Sequence, residues 1–402
     1  MDMNLLSILA ADSDSKMVLL VIDGLGGLPH PDTGLTELET ARTPNLDLLA
    51  KDSTCGLIHA IGPGITPGSG PGHLALFGYD PLSCEVGRGV LSALGVGIEL
   101  STQDLAARVN FCTVEDGKVV DRRAGRIPTE ENERLCAKLQ GISLDGVDVT
   151  IQTEKEHRAA LVFHASGLSD EITDTDPQRN GLKPPDCRAK PGAGREAEKT
   201  AEMVNDYLNE AAEVLTGEHP ANMIITRGFA KLPDLPKITD LYHIKAGAIA
   251  AYPMYRAVAL LVGMTLIDTG GTFCEEIDAL EKSWDDFDYF FVHYKHTDSR
   301  GEDGDFDAKV ECIQEVDIEI PRILDLKPDV LAVTGDHSTP ALLKMHSWHP
   351  SPLLLHSRWE RRDNADLFGE TACASGGLGI FPAQDLMGLM LANALRLNKF
   401  GA

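Results

Sequence analysis

The chain has 402 residues, of which 43% are hydrophobic and 24% are charged, and its formal net charge is -26. This length is more than one hydrophobic core usually serves, so we expect two domains. The excess of carboxylates argues against nucleic acid as a partner, because neutralising phosphates requires clustered lysine and arginine. No run of 18 apolar residues occurs, so no membrane-spanning helix is expected. A small anionic substrate and divalent cations remain compatible with this composition.

The cysteines and the start of the chain indicate a compartment. The eight cysteines are scattered and form no Cys-x-x-Cys pair, as is usual for reduced thiols of the cytosol. Residues 1–16 lack the basic leading region and the apolar segment of a secretory signal, and we interpret them as a short disordered or packing extension. We therefore expect a cytoplasmic protein.

The first predicted elements are a buried strand and a helix. The apolar run 17–22 stops abruptly at Asp23, and a continuous run of this length is typical of a parallel strand buried on both faces. Thr43 and Pro44 are a good N-cap and first-turn pair, so they predict the start of a helix. Asp23 is therefore expected at the carboxyl end of a strand.

The next segment, 62–73, carries five glycines and three prolines around one serine, Ser69. Glycine permits unusual backbone angles and close approach of a ligand, so Ser69 is a candidate nucleophile. The one neighbouring base is His73, and we expect a divalent cation to activate the hydroxyl. The alternative is a Gly/Pro-rich turn with an incidental serine.

The middle of the chain, about 101–264, differs from its flanks because apolar runs alternate there with basic and turn-rich segments. Residues 174–194 predict a long loop, and 196–215 predict an amphipathic helix. Candidate ligands lie on both sides of this block. We therefore predict a discontinuous catalytic domain, 1–100 and 265–402, that carries residues 101–264 as an inserted domain.

Two later apolar runs, 289–292 and 330–334, also end in polar clusters. The first leads to Asp298, and the second stops just before Asp336 and His337. Because open α/β sheets bind ligands beyond the carboxyl ends of their strands, these side chains and Asp23 are expected to share one site. A helix is predicted between the two runs, since apolar residues recur at helical spacing over 310–320. The fold class is therefore α/β, with a mostly parallel sheet and a smaller inserted α/β domain.

These strand ends also predict a metal centre. Carboxylate and imidazole are ligand types for Mn, Fe or Zn. The adjacent Asp336 and His337 can both reach a pair of metal ions, and His346 follows nine positions after His337. One His-Asp dipeptide is a weak signal, but its combination with Asp23 and Asp298 is a strong one.

Five motifs that occur in order along the chain resemble a known family. They are Asp-Gly at 23–24, Arg-Thr-Pro-Asn-Leu-Asp at 42–47, Thr-Pro-Gly-Ser at 66–69, Lys-His-Thr-Asp at 295–298 and Asp-His-Ser-Thr-Pro at 336–340. Together they resemble the archaeal-type cofactor-independent phosphoglycerate mutase family of the alkaline phosphatase superfamily. Further matches lie at 87–89, 121–126, 157–158 and 174–177. The resemblance extends from about residue 17 to residue 395 and implies an alkaline-phosphatase-like sheet with helices on both faces.

The resemblance also implies roles for individual residues. Ser69 resembles the nucleophile that accepts the phosphoryl group, and Lys295 resembles the lysine that helps to hold the phosphate. The residues that resemble the ligands of the first metal ion are Asp23, Ser69, Asp336 and His337. Those that resemble the ligands of the second are Asp298, Glu302 and His346. The inserted domain resembles a lid that binds the rest of the substrate.

Candidate substrate contacts in the middle block follow from the same resemblance and from the chemistry of guanidinium, which holds oxyanions through two parallel hydrogen bonds, and His73 is added as a histidine near Ser69 that could reach the substrate. The candidates are His73, Arg123, Arg126, His157, Arg158, Asp174 and Arg227. For each single arginine, a surface salt bridge is the alternative interpretation. For His73, the alternative is simple loop packing.

One ligand position departs from the family pattern. The family has histidine where this chain has Glu302. A carboxylate can still coordinate Mn or Mg, but it adds negative charge and weakens the preference for softer metals. The alternative is that Glu302 lies in water and is no ligand.

The resemblance implies a phosphoglycerate mutase that interconverts 3-phosphoglycerate and 2-phosphoglycerate through phosphoserine. Two divalent metal ions are implied, with manganese favoured over Mg, Co or Zn. The expected partner is a small phosphorylated substrate, without nucleic acid or membrane, and a homo-oligomer is allowed. The alternatives are a related phosphotransferase such as a homoserine kinase, a phosphohydrolase, and a non-catalytic metal-binding protein.

Overall fold

The computed structural model describes residues 3–84 and 86–401. In chain order the strands of these residues are β1 (Met17–Ile22), β2 (Thr54–His59), β3 (Leu105–Glu115), β4 (Lys118–Asp121), β5 (Asp148–Lys155), β6 (Arg158–His164), β7 (Met223–Lys231), β8 (Ala246–Ala250), β9 (Thr265–Ile267), β10 (Tyr289–Tyr294), β11 (Val330–Thr334), β12 (Ser351–Ser357) and β13 (Gly379–Pro382).

The α-helices of the same residues are α1 (Met3–Leu9), α2 (Glu37–Thr40), α3 (Pro44–Lys51), α4 (Ser69–Leu76), α5 (Arg88–Gly95), α6 (Thr129–Leu139), α7 (Arg195–Val214), α8 (Ile238–Tyr242), α9 (Pro253–Leu261), α10 (Phe273–Ser283), α11 (His296–Asp303), α12 (Phe306–Asp325), α13 (Glu370–Ala374) and α14 (Leu386–Asn393). None of them combines the length and the apolar character that a membrane-crossing helix needs.

The chain divides into two compact units. Unit 1 consists of the segments Met1–Glu85 and Leu235–Ala402, and unit 2 is Val86–Asp234. Each unit buries a large hydrophobic cluster made only of its own residues. Each unit therefore has a hydrophobic core of its own.

Unit 1 is built around a mostly parallel sheet of eight strands in the order β13-β2-β12-β11-β1-β10-β8-β9. The central strand β1 pairs in parallel with both β10 and β11, and every residue of these three strands is buried. β12 is the exception in direction, because it pairs antiparallel with both β11 and β2. The continuous apolar runs of the sequence are thus confirmed as the centre of a doubly covered sheet.

Alternate residues of β1 point to opposite faces of the sheet. Val18, Leu20 and Ile22 belong to a cluster that also contains the apolar side of α12. The other face is covered by helices such as α9, which packs on β8, and α14, which packs on β11. The predicted helices after Thr43 and over 310–320 are observed as α3 and α12.

Unit 2 contains an antiparallel sheet in the order β4-β3-β6-β5, with β7 pairing along β3. Its core is formed between this sheet and the apolar faces of α6 and α7. The helix predicted at 196–215 is observed as α7, and 174–194 carry no helix or strand apart from the bridge that Ala189 makes with Ile172.

The observed units differ at both ends from the insertion expected over 101–264. Residues 86–100 contain α5, which packs against β3 of unit 2. Residues 235–264 instead belong to unit 1, because β8 pairs in parallel with β10 in the eight-stranded sheet. The sequence of β8 is Ala-Gly-Ala-Ile-Ala, and its small side chains give little strand signal.

We expect unit 2 to fold alone when residues 86–234 are produced as a fragment, because its main cluster needs no residue of unit 1. The fragment 101–264 is the matched comparison, since it loses α5 and carries β8 without its partner β10. Thermal unfolding followed by circular dichroism should show a cooperative transition for 86–234 and a weaker or absent one for 101–264. An unfolded 86–234 fragment would contradict the observed division.

Candidate metal centre

The ends of three parallel strands bring the candidate ligands together. Ile22 of β1 is level with Tyr294 of β10, and Val21 is level with Thr334 of β11. The residues that follow these strands therefore emerge at one edge of the sheet. The side chains that matter there are deeply buried: Asp23 is 0% exposed, and Asp298 and Asp336 are each 1% exposed.

Two groups of potential metal ligands form at this edge. Asp23, Asp336 and His337 offer one group, and Asp298, His337 and His346 offer the other, with the ligand atoms of each group within 4.8 Å of one another. Nε2 of His337 lies 3.4 Å from Oδ1 of Asp23 and 3.1 Å from Oδ2 of Asp336. Nε2 of His346 lies 3.4 Å from Oδ1 of Asp298.

Unpaired carboxylate oxygens show that these groups fit a cation. Oδ1 of Asp23 and Oδ2 of Asp336 are buried and form no hydrogen bond of good geometry among the described residues, although imidazole nitrogens of His337 and His73 lie 3.1 to 3.4 Å from them. Buried polar atoms are normally hydrogen-bonded, since an unpaired one loses its hydration without compensation. Carboxylate and imidazole donors facing each other in this way suit a divalent transition metal.

Ser69 lies beside the first group. It is the first residue of α4, after Gly68 at the N-cap, and its Oγ is 3.0 Å from Nε2 of His337. The start of a helix favours negative charge on such an oxygen. Close packing holds the helix there, because a Cβ on Gly72 would lie only 2.7 Å from the carbonyl oxygen of Asp336.

Lys295 contributes the positive charge of the site. Its Nζ lies 3.0 Å from Oδ2 of Asp23, and it also forms an ion pair with Asp298. Burial opposes the charged form, but the charges of Asp23 and Asp298 raise the pKa of Lys295 above its usual value. Burial likewise opposes ionisation of Asp298, but a hydrogen bond with His346 and the charge of Lys295 lower its pKa to about 2. Both groups are therefore charged at neutral pH.

A layer of side chains behind the ligands was missed by sequence reasoning. The hydroxyl of Tyr255 donates to Oδ2 of Asp23, and the Tyr255 ring stacks on His293 with 3.6 Å between centroids. Thr339 Oγ1 donates to Oδ1 of Asp298 at 2.7 Å and lies 3.0 Å from Nδ1 of His337. The strand-end pattern could have pointed to His293, but Tyr255 lies in α9, far from any motif.

The structure places His73 in this same layer. It is 0% exposed, and its Nδ1 lies 2.8 Å from the carbonyl oxygen of Ser69 and 3.2 Å from Oδ2 of Asp336. Its ring is surrounded by aromatic side chains such as Phe77 and Tyr255. The proposed contact of His73 with substrate therefore gives way to a role in holding Asp336, because no solvent-facing atom remains for a substrate.

Glu302 lies at the edge of the second group. Its Oε1 is 3.8 Å from Nε2 of His346, and its side chain is 57% exposed. Burial and the neighbouring charge of Asp298 raise its pKa above the usual value. Glu302 is not among the ligand atoms that lie within 4.8 Å of one another, so its coordination of a metal stays a prediction.

The predicted substrate residues of unit 2 fall in two basic clusters. His157 is buried, and burial together with the charges of Arg158, Arg123 and Arg126 lowers its pKa to about 4. Arg123 and Arg126 are exposed, so their guanidinium groups are open to an anion.

Arg227 belongs to the second cluster. Burial, followed by the charges of Arg108 and Arg88, lowers its pKa. Its Nε is buried without a hydrogen-bond partner among the described residues. Asp174 is tied to the same strand, because its Oδ1 accepts from the backbone N–H of Gly228 at 2.8 Å.

The protein is therefore an α/β protein with a mostly parallel sheet. Its buried carboxylate and imidazole donors, beside a serine, form a candidate bimetal centre. Residues 50–222 match the family described as 2,3-bisphosphoglycerate-independent phosphoglycerate mutase. A relative from Aquifex aeolicus, named a probable 2,3-bisphosphoglycerate-independent phosphoglycerate mutase, is 52% identical over 411 residues and is covered completely, as is this chain. The chain therefore belongs to the 2,3-bisphosphoglycerate-independent phosphoglycerate mutase family.

Two solved structures are similar to this chain over nearly its whole length, and one of them is named a cofactor-independent phosphoglycerate mutase. The PH0037 protein from Pyrococcus horikoshii is 31% identical with a TM-score of 0.83, and the match covers 96% of this chain and 99% of that one. The cofactor-independent phosphoglycerate mutase from Thermoplasma acidophilum is 29% identical with a TM-score of 0.73, with 94% and 100% covered. The resemblance inferred from five sequence motifs is thus confirmed over nearly the whole chain.

We expect Tyr255→Phe to weaken manganese binding by about tenfold, because partners that orient a metal ligand typically contribute this much. The variant removes the hydroxyl that donates to Asp23 and keeps the ring that stacks on His293. Tyr79→Phe is the control, since Tyr79 donates to the carbonyl of Pro236 instead. Isothermal titration calorimetry with manganese measures both; equal affinity for Tyr255→Phe and wild type would contradict the role of Tyr255.

We expect Glu302→His to shift the metal preference towards zinc and cobalt, because imidazole favours these ions and carboxylate favours manganese and magnesium. Wild type, Glu302→His and Glu302→Ala should be compared for metal stoichiometry and activity with Mn, Mg, Co and Zn. Asp303→Ala is the matched control, since Asp303 is the neighbouring carboxylate and is also exposed. If all these proteins bind and work alike, Glu302 is not a ligand.

Proposed function

We propose that this protein interconverts 3-phosphoglycerate and 2-phosphoglycerate through a phosphoserine formed on Ser69. The observation that carries this proposal is the position of Ser69, at the start of α4 and 3.0 Å from His337 in the candidate metal centre. Family membership supports it, because the relative from Aquifex aeolicus is named a probable mutase of this kind. The substrate is accordingly a small phosphorylated acid.

Two divalent metal ions are part of the proposal, with manganese favoured and Mg, Co or Zn as alternatives. Asp23, Asp336 and His337, with Ser69, would hold one ion. Asp298 and His346 would hold the other, with Glu302 as an additional candidate. When bound, the ions would stabilise negative charge on the attacking and leaving oxygens and on the phosphoryl group.

The chain's own residues supply the remaining steps. Oγ of Ser69 attacks the phosphorus of 3-phosphoglycerate, the bond from phosphorus to the 3-oxygen breaks, and the proton lost by Ser69 returns on that oxygen. The 2-hydroxyl of glycerate then attacks the phosphorus of the phosphoserine, the bond from phosphorus to Oγ of Ser69 breaks, and the proton released by the 2-hydroxyl returns to Oγ. The N-terminus of α4 favours the charge on Oγ, and the ammonium group of Lys295 favours the charge of the phosphoryl group.

Unit 2 is proposed as the substrate-binding domain. Support comes from the exposed guanidinium groups of Arg123 and Arg126 beside the half-buried Arg158. Planar guanidinium groups bind carboxylate and phosphate through paired hydrogen bonds. Glycerate has to stay bound while it reorients, because water would otherwise hydrolyse the phosphoserine.

The proposed location is the cytoplasm. All eight cysteines are free thiols in the structure, which is usual in a reducing compartment. Cys55 and Cys373 are both buried, and a hydrogen bond with Cys55 together with burial raises the pKa of the Cys373 thiol well above its usual value. These thiols therefore serve as packing groups.

We expect Ser69→Ala to lower mutase activity to below about 1% of wild type, because loss of a nucleophile removes the covalent step. Activity is measured by a coupled assay with 3-phosphoglycerate and added manganese. Ser83→Ala is the matched control, since Ser83 is exposed and its hydroxyl bonds only within its own turn. Retention of more than a few per cent of activity in Ser69→Ala would remove Ser69 as the nucleophile.

The same protein preparation distinguishes the alternative reactions. Incubation with ATP and homoserine tests a kinase, and release of inorganic phosphate from 3-phosphoglycerate tests a phosphohydrolase. The proposal predicts 2-phosphoglycerate as the main product, together with phosphoserine in the peptide that contains Ser69. Phosphohomoserine or free phosphate as the main product would overturn it.

A further inference from the structure

A buried lysine outside the ligand set connects the two loops that carry the metal ligands. Lys309 lies on α12, its side chain is 0% exposed, and its Nζ donates to the carbonyl oxygens of Gly26 at 3.0 Å and Thr339 at 2.9 Å. Gly26 lies three residues after Asp23, and Thr339 lies two residues after His337. One ammonium group thus holds the loop after β1 against the loop after β11.

A buried glutamate, Glu37, carries the opposite charge and also connects the two loops. Oε1 of Glu37 lies 3.8 Å from Nζ of Lys309, and its side chain is also 0% exposed. The Glu37 carboxylate accepts from the backbone N–H of Ala341 at 2.8 Å and from that of Leu28 at 3.3 Å. Each of the two charged side chains therefore bonds to both loops. Lys309 bonds to backbone carbonyl oxygens, and Glu37 bonds to backbone N–H groups.

Thr339 links this pair to the metal ligands. Its carbonyl oxygen accepts from Lys309, and its hydroxyl contacts both Asp298 and His337. A shift of the Thr339 backbone would therefore move the hydroxyl that contacts Asp298 and His337, and so disturb ligands of both groups. The packing leaves little room for such a shift, because a Cβ on Gly301 would lie 2.2 Å from the carbonyl oxygen of Thr339.

Stability alone does not explain a fully buried pair of this kind. Removing two charges from water is costly, and well-packed apolar side chains of similar volume often stabilise a core equally well or better. Hydrogen bonds from a charged donor are, however, shorter and roughly twice as strong as neutral ones. The arrangement suits a requirement for fixed spacing of the two loops.

We propose that Lys309 and Glu37 are positioning residues that fix the spacing between the Asp23 loop and the Asp336–Thr339 loop, so that the metal ligands are in place before the ions bind. This proposal rests on the proposed function only in that the donor groups hold divalent cations. The hydrogen bonds cited for Lys309 and Glu37 go to backbone atoms of the two loops, so neither is proposed as a metal ligand.

The test compares two lysines that make the same kind of contact at opposite ends of β1. Lys309→Met keeps the length of the side chain and removes its hydrogen bonds to Gly26 and Thr339. Lys16→Met does the same at the other end, where Lys16 Nζ donates to the carbonyl oxygens of Trp284 at 2.7 Å and Phe287 at 2.8 Å. Calorimetric titration with manganese alone gives the affinity, and thermal unfolding without metal gives the stability.

We expect Lys309→Met to weaken manganese binding by about tenfold or more, the usual effect of losing groups that orient metal ligands. Lys16→Met should lower the unfolding temperature and leave the manganese affinity unchanged. An unchanged affinity in folded Lys309→Met would overturn the proposal, and so would an equal loss of affinity in Lys16→Met.

A double variant keeps the test decisive if Lys309→Met does not fold. Lys309→Met with Glu37→Gln removes both buried charges, so the carboxylate no longer lies unpaired and the unfolding temperature should recover in part. Manganese binding should remain weaker by about tenfold, because the two carbonyl oxygens still lack their donor. A double variant that binds manganese like wild type would show that only charge balance matters and would overturn the proposal.

These measurements use no substrate and so separate this proposal from the proposed reaction. A wild-type protein that binds manganese but does not convert 3-phosphoglycerate would overturn the reaction and leave the positioning role intact. Normal mutase activity in wild type, with unchanged manganese affinity in Lys309→Met and in the double variant, would overturn the positioning role and leave the reaction intact.

Discussion

The mutual repulsion of three buried carboxylates is the constraint on which this structure depends. Asp23, Asp298 and Asp336 converge at one edge of the sheet with at most 1% exposure each, where water screens their charges poorly. Lys295 offsets part of this charge through ion pairs with Asp23 and Asp298. Oδ1 of Asp23 and Oδ2 of Asp336 form no hydrogen bond of good geometry with the described residues, so they are open to coordinate a cation. Bound cations would supply the remainder and make the cluster useful for handling a phosphoryl group.

Holding such a cluster in place requires the surrounding structure. Parallel pairing of β1 with β10 and β11 makes the three carboxylate-bearing segments emerge level with one another. Behind them, Tyr255 restrains Asp23, while Thr339 joins the two groups of donors. Preorganisation of this kind spares the site the cost of rearranging when charge develops during a reaction.

The sequence predicted most of the centre, because strands of a parallel sheet appear as apolar runs and ligands follow their carboxyl ends. Asp23, Asp298, Asp336 and His337 were identified in this way, and His346 was added as a second histidine nine positions after His337. β8 was not recognised, since a strand of small side chains becomes a strand only by pairing with β10. Tyr255 was missed because α9, which follows β8, brings it to Asp23 only through tertiary packing. The burial of His73 likewise depends on aromatic neighbours such as Phe291 that are distant in sequence.

Anomalous X-ray diffraction from crystals grown with manganese tests the central claim most directly. The account predicts two anomalous peaks, one bounded by Asp23, Asp336 and His337 and the other by Asp298 and His346. Loss of the second peak alone in Glu302→Ala would add Glu302 to the ligands. A single peak, or peaks away from these residues, would contradict a two-metal centre at the ends of β1, β10 and β11.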